Sequence, residues 1–406
     1  MIPAIGARRR TGPGGGLDLE ALTQRRQITA TGSLLTGAFY PSSGAAQTYE
    51  YTHTTVTDAQ TLIAYVDAQV AGGTLTLTIE GATHRVTFSG SPTFTIAGGW
   101  APVASDPVDI AIPAGTAIIV RLHYEAVGVQ HRAAKTLGVY PSARWGTGDL
   151  TADGVGIVDH NNTQRMIPTV VSITGLTRPH APVVLGIGDS IFESGSGNPS
   201  GYSLGVRGAG LAFVNAGRWA GSTVAQGDPA IGSLDHFTHV LDEYGFNDLT
   251  NEAVTKTMAD KLLTWAWAHG QNAALKITAC TVTPSASSTD GWTTLPSQAP
   301  DAGTTYGGLT RHQRTVAYNG WLRDGAPILA GVAAPGTTDP AALRAGDDGH
   351  PLAGYLDIAD VIESSRDSGI FRVDHGALAV DGVHMNSTAG ALIATVVQAW
   401  AETLTA

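Results

Sequence analysis

The sequence has one cysteine, Cys280, in 406 residues. That excludes an intrachain disulfide framework and any cysteine-based zinc cluster. The setting Leu275-Lys276-Ile277-Thr278-Ala279-Cys280 marks the thiol as a buried strand residue. Charge is scarce as well: 14% of residues are charged, and Asp and Glu outnumber Lys and Arg 34 to 23, giving a formal net charge of −11. Nucleic acid or an anionic membrane surface would be repelled overall, so neither is expected as a partner. No apolar run reaches the roughly 18 to 20 residues that span a bilayer. The first thirty residues lack the charged-then-apolar order of a secretory signal, and Arg8-Arg9-Arg10, beside a Gly- and Pro-rich stretch at 12–16, reads as a solvated terminus. Among thirteen histidines there is no His-Glu-x-x-His and no His-x-His, and no EF-hand loop occurs, so no metal or other cofactor is expected.

What is present suffices for more than one core. The chain is 43% hydrophobic and longer than the roughly 250 to 300 residues at which a single core stops growing. From about 30 to 170 it is rich in Thr, Val, Ile and Gly, and apolar residues alternate with period two between turn signals. Thr74 to Ile79 alternates, Gly81 marks a turn, and Arg85 to Phe88 alternates again, as in a hairpin. Val108 to Ile112 stops at Pro113-Ala114-Gly115, after which Ile118, Val120, Leu122 and Tyr124 share one face. The pattern predicts an all-β sandwich or jelly roll.

Two prolines in Thr177-Arg178-Pro179-His180-Ala181-Pro182 interrupt that pattern, and apolar strands then alternate with helical segments. Val183 to Ile187 is a continuous apolar run suited to a parallel strand covered on both faces. Asn251 to His269 reads as a helix capped by Asn251, with Val254, Met258, Leu262 and Trp265 at helical spacing. Ala274 to Val282 reads as a further buried strand and Thr388 to Thr403 as a closing helix, while Pro284 to Thr310 lacks periodicity and reads as a long functional surface loop. The expected organisation is a flexible segment at 1–29, a β-sandwich accessory domain at 30–178, and an α/β domain with a doubly wound, flavodoxin-like parallel sheet at 179–406. No internal repeat is visible.

Gly188-Asp189-Ser190 follows the first apolar strand and so falls at the carboxyl end of the predicted sheet, where open α/β folds build their sites. Alone, such a tripeptide reads as a turn or helix cap. It has company: Asn215-Ala216-Gly217-Arg218-Trp219-Ala220-Gly221-Ser222-Thr223, Gly245-Phe246-Asn247-Asp248 and Asp381-Gly382-Val383-His384 follow in order. Together these four segments resemble the sequence blocks of the SGNH (GDSL-like) serine hydrolases, over about residues 183 to 404. The resemblance implies Ser190 as nucleophile, His384 as base and Asp381 as its acid partner. It also implies an oxyanion hole from the backbone of Ser190, the backbone of Gly221 (Gly217 as fallback) and the amide of Asn247.

The chemistry agrees with that assignment. A serine hydroxyl needs a base to take its proton, and an imidazole suits the task near neutral pH. A carboxylate three residues before the histidine can lie on the same face of one turn and fix the tautomer. Donors aimed at the developing oxyanion typically supply about 3 kcal/mol each. Asp348-Gly349-His350, Asp374-His375 and Asp235-His236 are rival acid–histidine pairs, but their spacing points the two groups apart. Asp189 is read as ordering the nucleophile turn. The expected function is carboxylic ester hydrolysis through an acyl-enzyme, on a small ester or acetylated glycan as a carbohydrate O-deacetylase. The alternatives are a lipolytic esterase or thioesterase for longer chains, or a glycan-binding or structural appendage protein. Trp100, Trp145 and Tyr140 are read as core residues of the β-sandwich, not as a sugar site. A soluble protein is expected, with an extracellular or phage- or surface-associated setting and homo-oligomerisation both left open.

Overall fold

The computed structural model describes residues 22–35, 39–41, 47–66, 72–95, 103–124, 130–132, 134–135, 144–147, 150–151, 166–167, 170–193, 200–218, 220–223 and 234–405. The Arg8-Arg9-Arg10 run, Trp100 and Tyr140 lie outside these residues, and of Trp145 only the backbone is described, in the strand Arg144–Thr147.

Two antiparallel sheets dominate the first half. One runs Gln24–Gln27, Val170–Thr177, Ala59–Val66, Val108–Ile112, with Val103–Ala104 also paired to Ala59–Val66. The other runs Arg144–Thr147, Gln47–Thr54, Ala117–Tyr124, Gly72–Ile79, Ala82–Val86, with Phe94–Thr95 beside Gly72–Ile79. Alternation puts one face of each inward: Ala59, Leu62, Ala64 and Val66 from the first meet Leu75, Leu77, Ile79, Ile118, Val120 and Leu122 from the second in one buried cluster. Ile79 pairs with Ala82 across Glu80 and Gly81, which have φ of 50° and 83°. Two left-handed residues are what a two-residue hairpin of the right twist requires, and glycine supplies one at little cost. Pro113-Ala114-Gly115 does a different job. The strand before it pairs in the first sheet and the strand after it in the second, so this turn carries the chain from one sheet to the other.

The second half is built on a six-stranded parallel sheet in the order Ala30–Leu35, Ala212–Arg218, Val183–Ile187, His239–Asp242, Lys276–Cys280, Leu352–Leu356. From the central strand Val183–Ile187 the chain first goes to one neighbour, Ala212–Arg218, and then returns to the other, His239–Asp242. The carboxyl ends on either side of that reversal form the crevice in which open α/β sheets bind ligands. Helices Gly201–Gly208 and Ser387–Thr403 pack on each other, and Asn386 caps the latter by accepting from the amides of Thr388 and Ala389. Helices Val254–Gln271 and Arg311–Arg323 meet through stacked indoles, Trp265 on Trp321 at 5.8 Å.

Several expectations require correction. Ala30–Leu35, grouped above with the β-sandwich, forms the outer edge of the parallel sheet beside Ala212–Arg218, the handover being marked by the Phe213 amide donating to the Thr29 carbonyl. Gln24–Gln27, expected to be flexible, is instead a paired strand. Alternation identifies a strand without saying which edge it joins. The helix expected from Asn251 to His269 is two helices, Phe246–Asn251 and Val254–Gln271; Asn251 ends the first, and Ala253 occupies the N-cap of the second without a side-chain bond. Pro284 to Thr310 holds a short hairpin, Ala286–Ser288 with Gln298–Pro300.

Candidate active site

The central strand Val183–Ile187 ends in Gly188-Asp189-Ser190, and Ser190 opens a one-turn helix, Ser190–Glu193. Gly188 is forced by packing: a Cβ there would lie 2.4 Å from both Glu243 Oε2 and Phe192 Cβ. Asp189 is fully buried, and its Oδ1 accepts from the Ile191 amide at 2.9 Å, so it orders the turn that presents Ser190.

His384 arrives from the other end of the chain. Ser190 Oγ lies 2.9 Å from His384 Nε2, and His384 Nδ1 lies 2.7 Å from Asp381 Oδ2. Asp381 and His384 sit on one tight turn, closed by the Val380 amide donating to the His384 carbonyl, ahead of the helix Ser387–Thr403. Asp381 Oδ1 accepts from the amides of Val383 (3.0 Å) and His384 (2.7 Å), so one carboxylate both builds the loop and holds the ring. Partial burial would raise Asp381, but the bonds from the His384 ring and the two amides outweigh it and hold the carboxyl below the ordinary range. The imidazole is 19% exposed and the carboxylate 51%.

The glycine and asparagine blocks converge on the same point. Asn247, on Phe246–Asn251 just after His239–Asp242, donates through Nδ2 to the Gly221 carbonyl at 2.9 Å and to Asp189 Oδ2 at 3.3 Å. Asp248 takes the Thr223 amide on both oxygens, at 2.9 and 3.2 Å, fastening the Gly221–Thr223 segment to that helix. The two glycine candidates separate here, because the Gly217 amide is committed to Asn215 Oδ1 at 2.8 Å. Gly221 therefore fits the donor role better. Asn215 itself is a buried tie, donating to the carbonyls of Phe192 and Glu193 and to Ser203 Oγ.

None of the rival histidines has the same geometry. His350 is buried against the Ala326 carbonyl and the Leu352 amide. His375 lies 3.8 Å from an Asp374 that Arg372 holds in a two-bond grip, and His236 faces the Tyr65 ring.

Beneath the nucleophile turn lies a set of buried ionisable groups that the sequence reading missed. Asp242 receives both bonds of the fully buried Lys261 ammonium (2.9 Å each), the Trp265 indole at 2.8 Å and the Tyr244 amide at 3.1 Å. Next to it, Glu243 Oε2 accepts from the Asp189 amide at 3.0 Å, and the Glu243 amide donates to the Ile187 carbonyl at 2.8 Å. Burial, reinforced by the neighbouring Asp189, drives Glu243 well above the ordinary carboxyl range, and burial pushes Asp189 up to about 7. The available signal was Asp242-Glu243 itself, two acids directly after the apolar Val240-Leu241. Among the described residues, no group of three or more His, Cys, Asp or Glu is placed to hold a metal ion, and no helix is long and apolar enough to cross a membrane.

Neither a family model nor a curated protein matches the sequence. Solved structures give likenesses of shape. A carbohydrate esterase family 2 enzyme plus carbohydrate binding domain from Corynascus thermopiles (Myceliophthora fergusii) is similar at 11% identity, over 94% of this chain and 99% of that one, with a TM-score of 0.36. A family two carbohydrate esterase from Clostridium thermocellum in complex with cellohexaose is similar at 11% identity over 93% and 98%, TM-score 0.35. A GDSL-like lipase from Bacteroides thetaiotaomicron is similar at 11% over 55% and 89%, TM-score 0.36. At these scores the chemical case stands on the side-chain geometry at Ser190.

Proposed function

We propose that the chain is a serine esterase of the SGNH type, hydrolysing a carboxylic ester through an acyl-enzyme. The observation that carries this reading is the continuous contact from Ser190 Oγ to His384 Nε2 and from His384 Nδ1 to Asp381 Oδ2, the arrangement in which a hydroxyl becomes a nucleophile. In the proposed cycle the Ser190 hydroxyl gives its proton to His384 as Oγ bonds to the ester carbonyl carbon. Negative charge then develops on the carbonyl oxygen. The amides of Ser190 and Gly221 and the Asn247 side chain receive it, Asn247 exchanging its long 3.3 Å bond to Asp189 while the 2.9 Å bond to Gly221 keeps the two donors in step. The imidazolium, steadied by Asp381, protonates the departing alkoxide. A water then loses its proton to His384 and attacks the acyl group, and the returning proton regenerates Ser190.

For the substrate, the reading is an acetyl or similarly small acyl group on a carbohydrate hydroxyl, with the two antiparallel sheets forming a β-sandwich accessory domain beside a catalytic unit made of 179–406 together with the strand Ala30–Leu35. Its support is architectural, and fold by itself does not fix substrate. Fluorophosphonate labelling of the wild type and Ser190→Ala tests the chemistry: the wild type should label and the variant should not, and labelling that survives the substitution would assign the nucleophile elsewhere. Acetyl against octanoyl model esters, followed by acetylated glycans, tests the substrate. A preference for octanoyl would replace the deacetylase reading by a lipolytic one.

A further inference from the structure

The loop that carries Asp381 and His384 is seated on a part of the chain the triad does not include. The Ala286 amide donates to the Gly382 carbonyl at 3.0 Å. Gly382 has φ of 85°, and a Cβ there would stand 2.2 Å from the Ala286 carbonyl oxygen and 3.0 Å from Trp292 Cζ2. The backbone between the acid and the base therefore rests directly on Ala286 and the indole. Trp292 in turn donates through Nε1 to the Ala286 carbonyl at 2.9 Å, closing a three-cornered contact of Gly382, Ala286 and Trp292.

Trp292 is held there at a cost. Its φ is 62°, a left-handed conformation that a bulky residue adopts only when its surroundings dictate it, and such outliers gather at functional sites. The surroundings are specific. Ser288 Oγ takes the Trp292 amide at 2.9 Å, and Asp290 gathers Ser288 Oγ, Ser297 Oγ and both the amide and hydroxyl of Thr293. The hairpin Ala286–Ser288 and Gln298–Pro300 anchors that knot, and Gln298 grips the Phe371 backbone through both its amide atoms. Asp381, by contrast, is half exposed, and its recorded hydrogen bonds come from its own loop.

We infer that Trp292 is a positioning residue for the Asp381–His384 pair, fixing through Gly382 the distance and angle at which the imidazole meets Ser190. The inference rests on the esterase reading for its kinetic consequences, though not for its structural one. Displacing a catalytic group by about 1 Å can cost on the order of 10²-fold in rate, so Trp292→Ala should lower kcat on a short-chain ester by about 10- to 100-fold with KM little changed. The acidic limb of the pH profile should move to lower pH as the imidazolium loses alignment with Asp381. Trp292→Phe, which keeps a ring against Gly382 and loses only the Nε1 bond, should recover part of the rate. In an Asp381→Asn background, Trp292→Ala should cost under about 3-fold, because groups acting through one another are non-additive. An equal loss in both backgrounds, or an unchanged kcat in the single variant, overturns the inference. Should Trp292→Ala fail to fold, Trp292→Leu keeps an apolar side chain at the site while removing the indole and its Nε1 bond to Ala286, and should reproduce most of the kcat loss. The downfield proton NMR signal of a carboxylate-bonded imidazole Nδ1–H gives a readout independent of turnover. It should be present in the wild type and weakened in Trp292→Ala, and its persistence would overturn the inference even in a chain without esterase activity. A wild type that neither labels nor turns over esters, yet shows the signal respond, would refute the esterase reading alone.

Discussion

Glu243 holds the Gly188–Ser190 turn by a bond to the backbone: its Oε2 accepts the amide of Asp189, one residue before Ser190, at 3.0 Å. Both side chains are buried, and both carboxyls are displaced upward, Asp189 to about 7 and Glu243 well above the ordinary range, with burial as the first cause in each case. A neutral Glu243 can accept this bond without placing a second uncompensated charge beside Asp189.

The contribution of these two carboxyls to stability should therefore fall as pH rises, opposite in sign to that of buried histidines such as His53 and His236, which acts below their ordinary range. A carboxyl whose pKa is higher folded than unfolded holds an extra proton in the native state between the two values. Its contribution is complete below about pH 4, the unfolded range, and is lost as pH climbs through the folded value, for Asp189 through about 7. Urea denaturation from pH 7 to 9, above the range in which the buried histidines act, should show this decline in the wild type, and Glu243→Gln, which keeps an acceptor for the Asp189 amide but cannot ionise, should flatten it. A Glu243→Gln variant that loses stability over that interval as steeply as the wild type would refute the assignment.

Lys261 and Asp242 form a fully buried ion pair closed by Trp265 and the Tyr244 amide. Removing one partner strands the other, and Lys261→Met should cost about 3–5 kcal/mol. The double variant Lys261→Met with Asp242→Asn, which removes both charges and keeps a carbonyl acceptor beside the Trp265 indole and the Tyr244 amide, should recover much of that loss. Equal destabilisation by the single and double variants would mean the pair is not the source.

Within the triad the losses should be ranked. His384→Ala is expected to fall to the level of Ser190→Ala, about 10⁶-fold in kcat, while Asp381→Asn should lose about 10⁴-fold. Asn247→Ala should lose about 10²- to 10³-fold, the size of one oxyanion donor. Steady-state kinetics on an acetyl ester reads all of these, and an Asn247→Ala variant with wild-type kcat would remove that residue from the oxyanion hole.

The legible parts of the sequence were those in which one local rule decides the outcome. Val183 to Ile187 reads as a buried parallel strand residue for residue, the hairpin turn marked by Gly81 follows from turn chemistry, and the closing helix expected over Thr388 to Thr403 is found at Ser387–Thr403. Ser190, His384 and Asp381 were singled out by the resemblance of four segments to the blocks of one family, and the structure brings the three side chains within hydrogen-bond reach of one another. What escaped depends on partners far along the chain. Lys261 sits where a helix charge normally reads as solvated, and only Asp242, nineteen residues earlier, explains its burial. Trp292 reads as an ordinary loop aromatic until Gly382 is brought against it. The break at Glu252-Ala253 escaped because Asn251 has the residue type of an N-cap, whereas it ends the preceding helix and the apolar spacing starts only at Val254.

The strand Ala30–Leu35 has a further consequence. It lends its hydrogen-bonding margin to Ala212–Arg218 from a point in the chain ahead of most of the antiparallel strands, so cleaving at the proline pair near 179 would not release a self-sufficient parallel-sheet unit. Such a fragment would carry a raw lateral border, the kind of surface that recruits foreign strands. It should associate with itself in light scattering unless a peptide spanning 24–35 is supplied to dress that border.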